Sequence, residues 1–124
     1  MQINIPDIVA EVTEVALVYD RALVANELDT VDSLFWNSSQ TLRYGPDGTL
    51  VGHDAISAFR RSRKRATSAR VIHPPRVTTF GTDFAVTNSE SERHGVTIRQ
   101  SQTWVRMPGG WRVVSAHVSE LPPK

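Results

Sequence analysis

Polar and apolar positions alternate most regularly in the last quarter of the chain. Two β-rich runs, Val96–Met107 and Trp111–Ser119, flank a Pro-Gly-Gly turn. β-Branched and aromatic residues on both sides of a glycine-containing turn predict a β-hairpin. Because strand side chains alternate between faces, one face of the first run carries Gln100, Gln102 and Trp104. Amides beside an aromatic ring are typical of a pocket lining, although a half-exposed sheet face has the same pattern.

The N-terminal segment has helical periodicity instead. Pro6 and Asp7 suit a first helical turn, where a missing N–H and a negative charge are both tolerated. Apolar positions then recur at steps of three and four residues, which predicts an amphipathic helix. These positions are Ile8, Val12, Val15, Ala16, Tyr19, Ala22 and Leu23. Tyr19 carries the only hydroxyl on this stripe, and it either bonds a carbonyl in the core or points into a cavity.

Two more helices are predicted further along the chain. A short one spans Asp29–Leu34, and a longer one spans Asp54–Arg65. On the longer helix, Arg60 continues the apolar stripe of Ile56 and Phe59. Its guanidinium therefore either extends to the rim of the domain or binds an anion inside it.

The remaining runs predict strands. Thr41–Gly45 alternates, with Arg43 and Tyr44 on opposite faces. The other predicted strands are Leu50–Val51, Ala69–His73, Arg76–Phe80 and Phe84–Glu92. Helices that precede a run of antiparallel strands indicate an α+β fold, with about three helices packed on one face of a curved antiparallel sheet.

Composition narrows the range of functions. A chain of 124 residues suits one domain, here residues 1–124, with a core of its own. The net charge of +1 does not point to nucleic acid or to a membrane, and the absence of cysteine excludes disulfides and thiolate chemistry. The chain shows neither a leader-like N-terminus nor an apolar run near the ~20 residues that span a bilayer. We therefore expect a soluble, cytoplasmic protein.

The layout, together with its closing sequence Gly-Gly-Trp-Arg-Val-Val-Ser-Ala-His-Val-Ser, resembles the nuclear-transport-factor-2-like (SnoaL-like) superfamily. Within that superfamily, nearly the whole chain resembles the oxalurate-catabolism and 1,3-dicarboxyurea deamidase-like proteins. The matching segments include Leu34–Trp36, Leu42–Gly45, Gly52–Ile56, Phe59–Arg60 and Arg99–Arg106. The resemblance implies a cone-shaped barrel whose pocket lies between the helices and the concave face of the sheet.

The resemblance also implies an activity. Characterised relatives deaminate N-carboxylated ureas with a tyrosine in the first helix and an arginine in the following strand, which correspond here to Tyr19 and Arg43. We therefore expect a metal-free deaminating C–N hydrolase that acts on a small anionic carboxylated urea and needs no cofactor. The alternative is a non-catalytic ligand-binding or assembly module that supports a partner amidase, because folds of this kind serve many functions.

Each expected role has a structural alternative. Arg43 would hold a carboxylate with its two-pronged guanidinium, with Arg60 as a second clamp, and otherwise Arg43 is a structural arginine. Tyr19 would donate to the scissile carbonyl or act as an acid–base group.

The remaining site candidates lie in the C-terminal hairpin. Gln102 would orient substrate or water beside Trp104, or simply bond a neighbouring strand. His117 would shuttle a proton, or is a buried histidine whose hydrogen bonds are satisfied. The other histidines lack metal-ligand spacing, so we predict no metal site, with water as the attacking nucleophile.

A homodimer is expected from the same geometry. Helices on one side of a curved sheet leave the outer face bare, and we expect Val105, Val114 and Val118 on that face. A contiguous exposed apolar face is a liability for a monomer, which predicts an isologous dimer through it.

Overall fold

Three helices and seven strands make up the computed structural model, which describes residues 1–63 and 70–123. The helices are α1 (Pro6–Val24), α2 (Leu28–Leu34) and α3 (His53–Ser62). The strands are β1 (Leu42–Gly45), β2 (Gly48–Val51), β3 (Val71–Ile72), β4 (Arg76–Phe80), β5 (Phe84–Arg93), β6 (Val96–Met107) and β7 (Gly110–Leu121). Across the described residues, no helix combines the length and the apolar character needed to cross a membrane.

The strands form one sheet in the order β2-β1-β7-β6-β5-β3, and β4 also pairs with β5. Every pair is antiparallel except β1 with β7, which is parallel. The prediction of an all-antiparallel sheet is therefore wrong for one strand pair, β1 with β7. A helix and five strands separate β1 from β7 in sequence, so no tight turn fixes their relative direction. Among the described residues the sheet is open, with β2 and β3 at the ends of the strand order, rather than a closed barrel.

The helices keep close to their predicted patterns. The buried positions of α1 fall on the predicted stripe: Ile8, Val12, Ala16, Tyr19 and Ala22. Asn26, at φ 58°, adopts the left-handed conformation that commonly follows a helix end. Helix α3 is shorter than predicted, because Arg63 is already extended at ψ 117°. Residue 65, its predicted end, and residue 69, the predicted start of the following strand, lie outside the described residues.

A β-bulge in the C-terminal hairpin decides which side chains face inward. Thr103 pairs with Ser115 but Trp104 pairs with Val113, so β7 carries one extra residue, Val114. A bulge shifts the alternation by one position, so that inward and outward positions exchange. Before the bulge the buried residues of β7 are Trp111 and Val113, and after it the next buried residue is Ala116.

The bulge corrects two predictions. His117 was expected inside and is exposed, whereas Val118 was expected on the outer face and lines the inner pocket. Val105 and Val114 are partly buried. Val118 cannot belong to an outer dimer face, and the homodimer itself stays a prediction.

Candidate functional site

A pocket with a volume of about 100 Å³ opens between α1, α3 and the inner face of the sheet. Elements far apart in sequence supply its wall: Tyr19, Asp20, Leu23, Asn26, Leu28, Arg43, Pro46, Asp47, Phe59, Arg60, Arg63, Arg70, Ile72, Ser89, Ser91, Arg93, Ile98, Gln100, Val118 and Glu120. The volume is sufficient for several water molecules or a small organic ligand.

The wall concentrates positive charge. Five of its residues are arginines, at positions 43, 60, 63, 70 and 93, and three are acidic, at positions 20, 47 and 120. The whole chain carries a net charge of only +1. A concave wall with excess charge of one sign focuses the electrostatic potential, so the pocket attracts small anions.

Strand β1 positions Arg43. It pairs with Ala116 of β7, which is buried, so the arginine faces the interior. Its Cζ lies 5.5 Å from the centre of the Phe59 ring. Gly45 leaves room for this side chain, because a Cβ at that position would lie 2.7 Å from Arg43 Nη1. The local sequence Leu-Arg-Tyr-Gly therefore both aims and accommodates the guanidinium.

Arg43 has an unused hydrogen-bond donor. Its Nη1 is buried and has no hydrogen-bond partner in the described part of the chain. Burial lowers the pKa of Arg43; Arg60 and Arg63 add to the decrease, whereas Tyr19 opposes it. A buried donor on a charged group is costly when it is left unpaired. The arrangement favours an anion that would accept from this nitrogen.

Tyr19 lies at the base of the pocket. Gln100 Nε2 donates to its hydroxyl oxygen over 3.4 Å, which leaves the hydroxyl's own proton available for donation. The ring is wedged between two aromatic rings, with centroids 6.1 Å from Phe35 and 6.4 Å from Trp104. The hydroxyl is therefore held in place by packing and by one amide.

Arg60 is committed elsewhere. Its Nη1 donates to Asp32 Oδ1 at 3.0 Å, and its Cζ lies 5.0 Å from the centre of the Phe35 ring. Asp32 also accepts from Ser57 at 2.6 Å and from Arg61 at 2.8 Å. Burial raises the pKa of Asp32, but these hydrogen bonds outweigh it and hold the pKa below its usual value. Arg60 thus borders the pocket with its charge already paired, which makes it a weaker anion clamp than Arg43.

Gln102 and Trp104 lie deeper than expected and do not line the pocket. Trp104 Nε1 donates to Thr87 Oγ1 at 2.9 Å, and Thr87 donates in turn to Gln102 Oε1 at 3.2 Å. Gln102 thus bonds a neighbouring strand, which is the structural alternative. Gln100, two positions earlier on the same face, is the amide that reaches Tyr19.

His117 is separated from the other candidates by the sheet. It is exposed on the outer face, where its ring meets that of Tyr44 edge-on at 5.7 Å. The predicted position of its imidazole inside the pocket is wrong, and the bulge in β7 is the reason.

Asp20 and Arg70 are among the pocket residues that the sequence did not point to. Asp20 follows Tyr19 and falls off the apolar stripe, yet it lines the pocket. Burial raises the pKa of Asp20 to about 6, against opposing effects of Arg70 and Arg21. Arg70 lies just before β3, two positions from Ile72, which shares the same inward direction and was the available signal. Raised carboxyl pKa values often mark functional sites.

The acidic groups do not assemble into a typical metal site. Within residues 1–63 and 70–123, no three His, Cys, Asp or Glu side chains come together as potential metal ligands.

Solved structures share this architecture. A cystatin-like fold protein from Burkholderia xenovorans LB400 is 41% identical with a TM-score of 0.92, covering 100% of this chain and 99% of that protein. A protein of unknown function from the DUF3225 family of Pectobacterium atrosepticum SCRI1043 is 42% identical with a TM-score of 0.91. The match covers 97% of this chain and 95% of that protein. A nuclear transport factor 2 (NTF2-like) superfamily protein from Salmonella enterica serovar Typhimurium is 24% identical with a TM-score of 0.74, covering 95% and 92%, and shows the fold alone.

These similarities establish an NTF2-like, cystatin-like α+β fold with a mixed sheet and three helices. No curated protein matches the chain. A family model matches residues 1–124, and the chain belongs to the AtzH-like family.

Proposed function

We propose that this protein is a metal-free deaminating C–N hydrolase for a small anionic carboxylated urea, of the 1,3-dicarboxyurea or oxalurate type. The observation that carries the proposal is the buried, unpartnered Nη1 of Arg43 in the pocket that the hydroxyl of Tyr19 also lines. Those two residues are the ones that the resemblance to 1,3-dicarboxyurea deamidase-like proteins assigns to catalysis. Membership of the AtzH-like family is consistent with this assignment.

Arg43 would hold the substrate. A guanidinium meets a carboxylate with two parallel hydrogen bonds, which fixes both position and orientation. The same pocket wall also contains apolar residues such as Leu23, Ile72 and Val118, which lower its polarity. Lower local polarity strengthens the attraction between the two charges.

Tyr19 would stabilise the charge that develops on the scissile carbonyl. When water attacks the carbonyl carbon, the carbonyl oxygen becomes negative, and a fixed O–H donor stabilises it at no cost in reorganisation. Gln100 orients the hydroxyl from one side, and the Phe35 and Trp104 rings hold the phenol ring.

Asp20 would transfer the proton, because it lines the pocket and burial raises its pKa. In the proposed step the water oxygen bonds to the carbonyl carbon and its proton passes to the Asp20 carboxylate. The C–N bond then breaks, and Asp20 returns the proton to the departing nitrogen. That nitrogen leaves as ammonia from the terminal ureido group of oxalurate. From 1,3-dicarboxyurea it leaves as carbamate, which then decomposes to ammonia and carbon dioxide. A carboxyl whose pKa is raised to about 6 can perform both transfers near neutral pH.

Ammonia release tests the proposal directly. The purified protein should release ammonia from 1,3-dicarboxyurea or oxalurate with no other enzyme present, and a panel of carboxylated ureas should rank the substrates. Folded protein that stays inert with every member of the panel would overturn it. Activity that appears only when an amidase is added would instead support the assembly-module alternative.

A further inference from the structure

Arg70 approaches the pocket from the flank opposite Arg43. Arg43 lies on β1 and Arg70 directly precedes β3, and the strands β7, β6 and β5 lie between β1 and β3 in the sheet. Both side chains line the same cavity. A ligand in the cavity would therefore have one guanidinium on each side.

Arg70 also has an unused donor. Its Nε is buried and lacks a hydrogen-bond partner among the residues that the structure describes. Burial lowers the pKa of Arg70, and the neighbouring Arg93 lowers it further. Arg70 and Arg93 therefore leave this flank of the pocket with positive charge that is not balanced by negative groups.

The charged groups around Arg70 do not balance its positive charge. Tyr19 and Asp20 of α1 favour its charge, whereas Arg93 of β5 and Arg63 beyond α3 oppose it. Among the described residues Arg70 forms no ion pair within 4.0 Å, in contrast with Arg60, which is bonded to Asp32. Of the arginines at this pocket, Arg43 and Arg70 are those with a buried donor to spare.

Tyr19 lines the cavity together with both arginines. Gln100, which donates to its hydroxyl, is on β6, between β1 and β3 in the sheet. A ligand that bonds both guanidiniums would bring its middle part close to the Tyr19 hydroxyl.

We propose that Arg70 binds a second anionic group, so that the pocket takes a small dianion with one carboxylate on Arg43, the other on Arg70, and its centre at Tyr19. This inference deepens the proposed function by naming the ligand class and rests on the same pocket, but it concerns binding rather than hydrolysis. A diacid that is never hydrolysed can therefore test it.

Calorimetric titration with matched ligand pairs is the test. Malonate, succinate and glutarate are each compared with their monoamides, which keep the size and lose one charge. The wild-type protein should prefer the best-fitting diacid over its monoamide. Arg70→Gln should weaken binding of that diacid about 10- to 100-fold and leave the monoamide nearly unchanged, since one charged hydrogen-bonding site is lost.

Other variants separate this role from a structural one. Arg43→Gln should weaken both members of a pair, Arg70→Lys should restore part of the preference, and Arg76→Gln, an exposed position on β4, should change neither. Circular dichroism checks that each variant is folded. The inference is overturned if Arg70→Gln weakens diacid and monoamide equally, has no effect, or if the folded wild-type protein prefers no diacid. Because the readout is binding, failure of ammonia release leaves this result interpretable.

Discussion

The inner face of the sheet has two regions of opposite character. In the packed region, Trp104, Val113 and Val12 are each fully buried at 0% exposure. In the pocket region, the same sheet and the same helix α1 enclose a cavity edged by arginines. The first region stabilises the fold by excluding water, whereas the second retains buried charges and unpaired donors that cost stability. Groups kept at such a cost are typical of a binding or catalytic site.

The largest expected effect is in the packed region. Trp104→Ala should lower the free energy of unfolding by about 3–5 kcal/mol, because it leaves a large cavity and removes the indole donor to Thr87. Chemical denaturation measures the loss. Trp36→Ala, at a half-buried indole, is the matched control and should cost clearly less. Equal losses would mean that Trp104 does not anchor the packed region.

In the pocket region, we expect substitutions to lower catalytic activity rather than stability. Arg43→Lys keeps the charge but loses the two-pronged contact, so kcat/KM should fall by about 10- to 1,000-fold, roughly 1.4–4 kcal/mol. The melting temperature should stay almost unchanged. Arg76→Lys on exposed β4 provides the control. A collapse in melting temperature would identify Arg43 as a structural arginine.

Tyr19→Phe tests the hydroxyl alone. We expect a decrease of the same order in kcat/KM, about 10- to 1,000-fold, and a stability change of about 1 kcal/mol from the lost Gln100 contact. Tyr44→Phe, at a tyrosine that is 46% exposed on the outer face, should leave both quantities unchanged. Full activity of Tyr19→Phe would remove the hydroxyl from the mechanism.

Asp20→Asn should separate stability from activity through pH. The folded-state pKa of Asp20 lies near 6, above the 3.8 expected of an unperturbed aspartate, so folding favours the protonated form. The wild-type protein should therefore lose stability as pH rises from about 4 through 6, by at most about 3 kcal/mol. Asp20→Asn lacks this penalty, so it should be the more stable protein at pH 8 and lose that advantage below pH 4.

The same variant should be inactive if Asp20 carries the proton. Thermal melts at pH 4 and pH 8, beside ammonia-release rates, give both measurements. Exposed Asp54→Asn controls for the loss of one carboxylate. An active Asp20→Asn protein would assign proton transfer to another group. If its melting temperatures match those of the wild-type protein at both pH values, the Asp20 carboxyl is solvated rather than buried.

The two regions also differ in how well the sequence predicts them. In the packed region, periodicity is imposed by burial, so the α1 stripe and the inward positions of Gln102 and Trp104 follow from spacing alone. In the pocket region the informative residues break those patterns. Asp20 lies off the helical stripe, and Arg70 precedes a strand of only two residues. Their proximity depends on how α1 packs against the sheet, which no local pattern encodes.

The β-bulge in β7 is a second feature that the sequence does not predict. The segment Trp111–Leu121 contains neither glycine nor proline to mark the position where Val114 is inserted. Strict alternation with Val114 and Val118 on the outer face therefore puts the imidazole of residue 117 on the wrong face. Only pairing with β6 reveals the shift.

The smallest expected effect tests that shift. His117→Ala should change kcat/KM less than about twofold and the free energy of unfolding by about 0.5 kcal/mol or less, because the side chain is exposed and touches Tyr44 rather than the pocket. Val118→Leu, at the next position, should raise KM instead, since the added methylene enters the pocket. Steady-state kinetics on the two variants compare adjacent residues on opposite faces. A tenfold loss in His117→Ala with no effect of Val118→Leu would return the imidazole to the interior and reverse the inward face of β7 beyond the bulge.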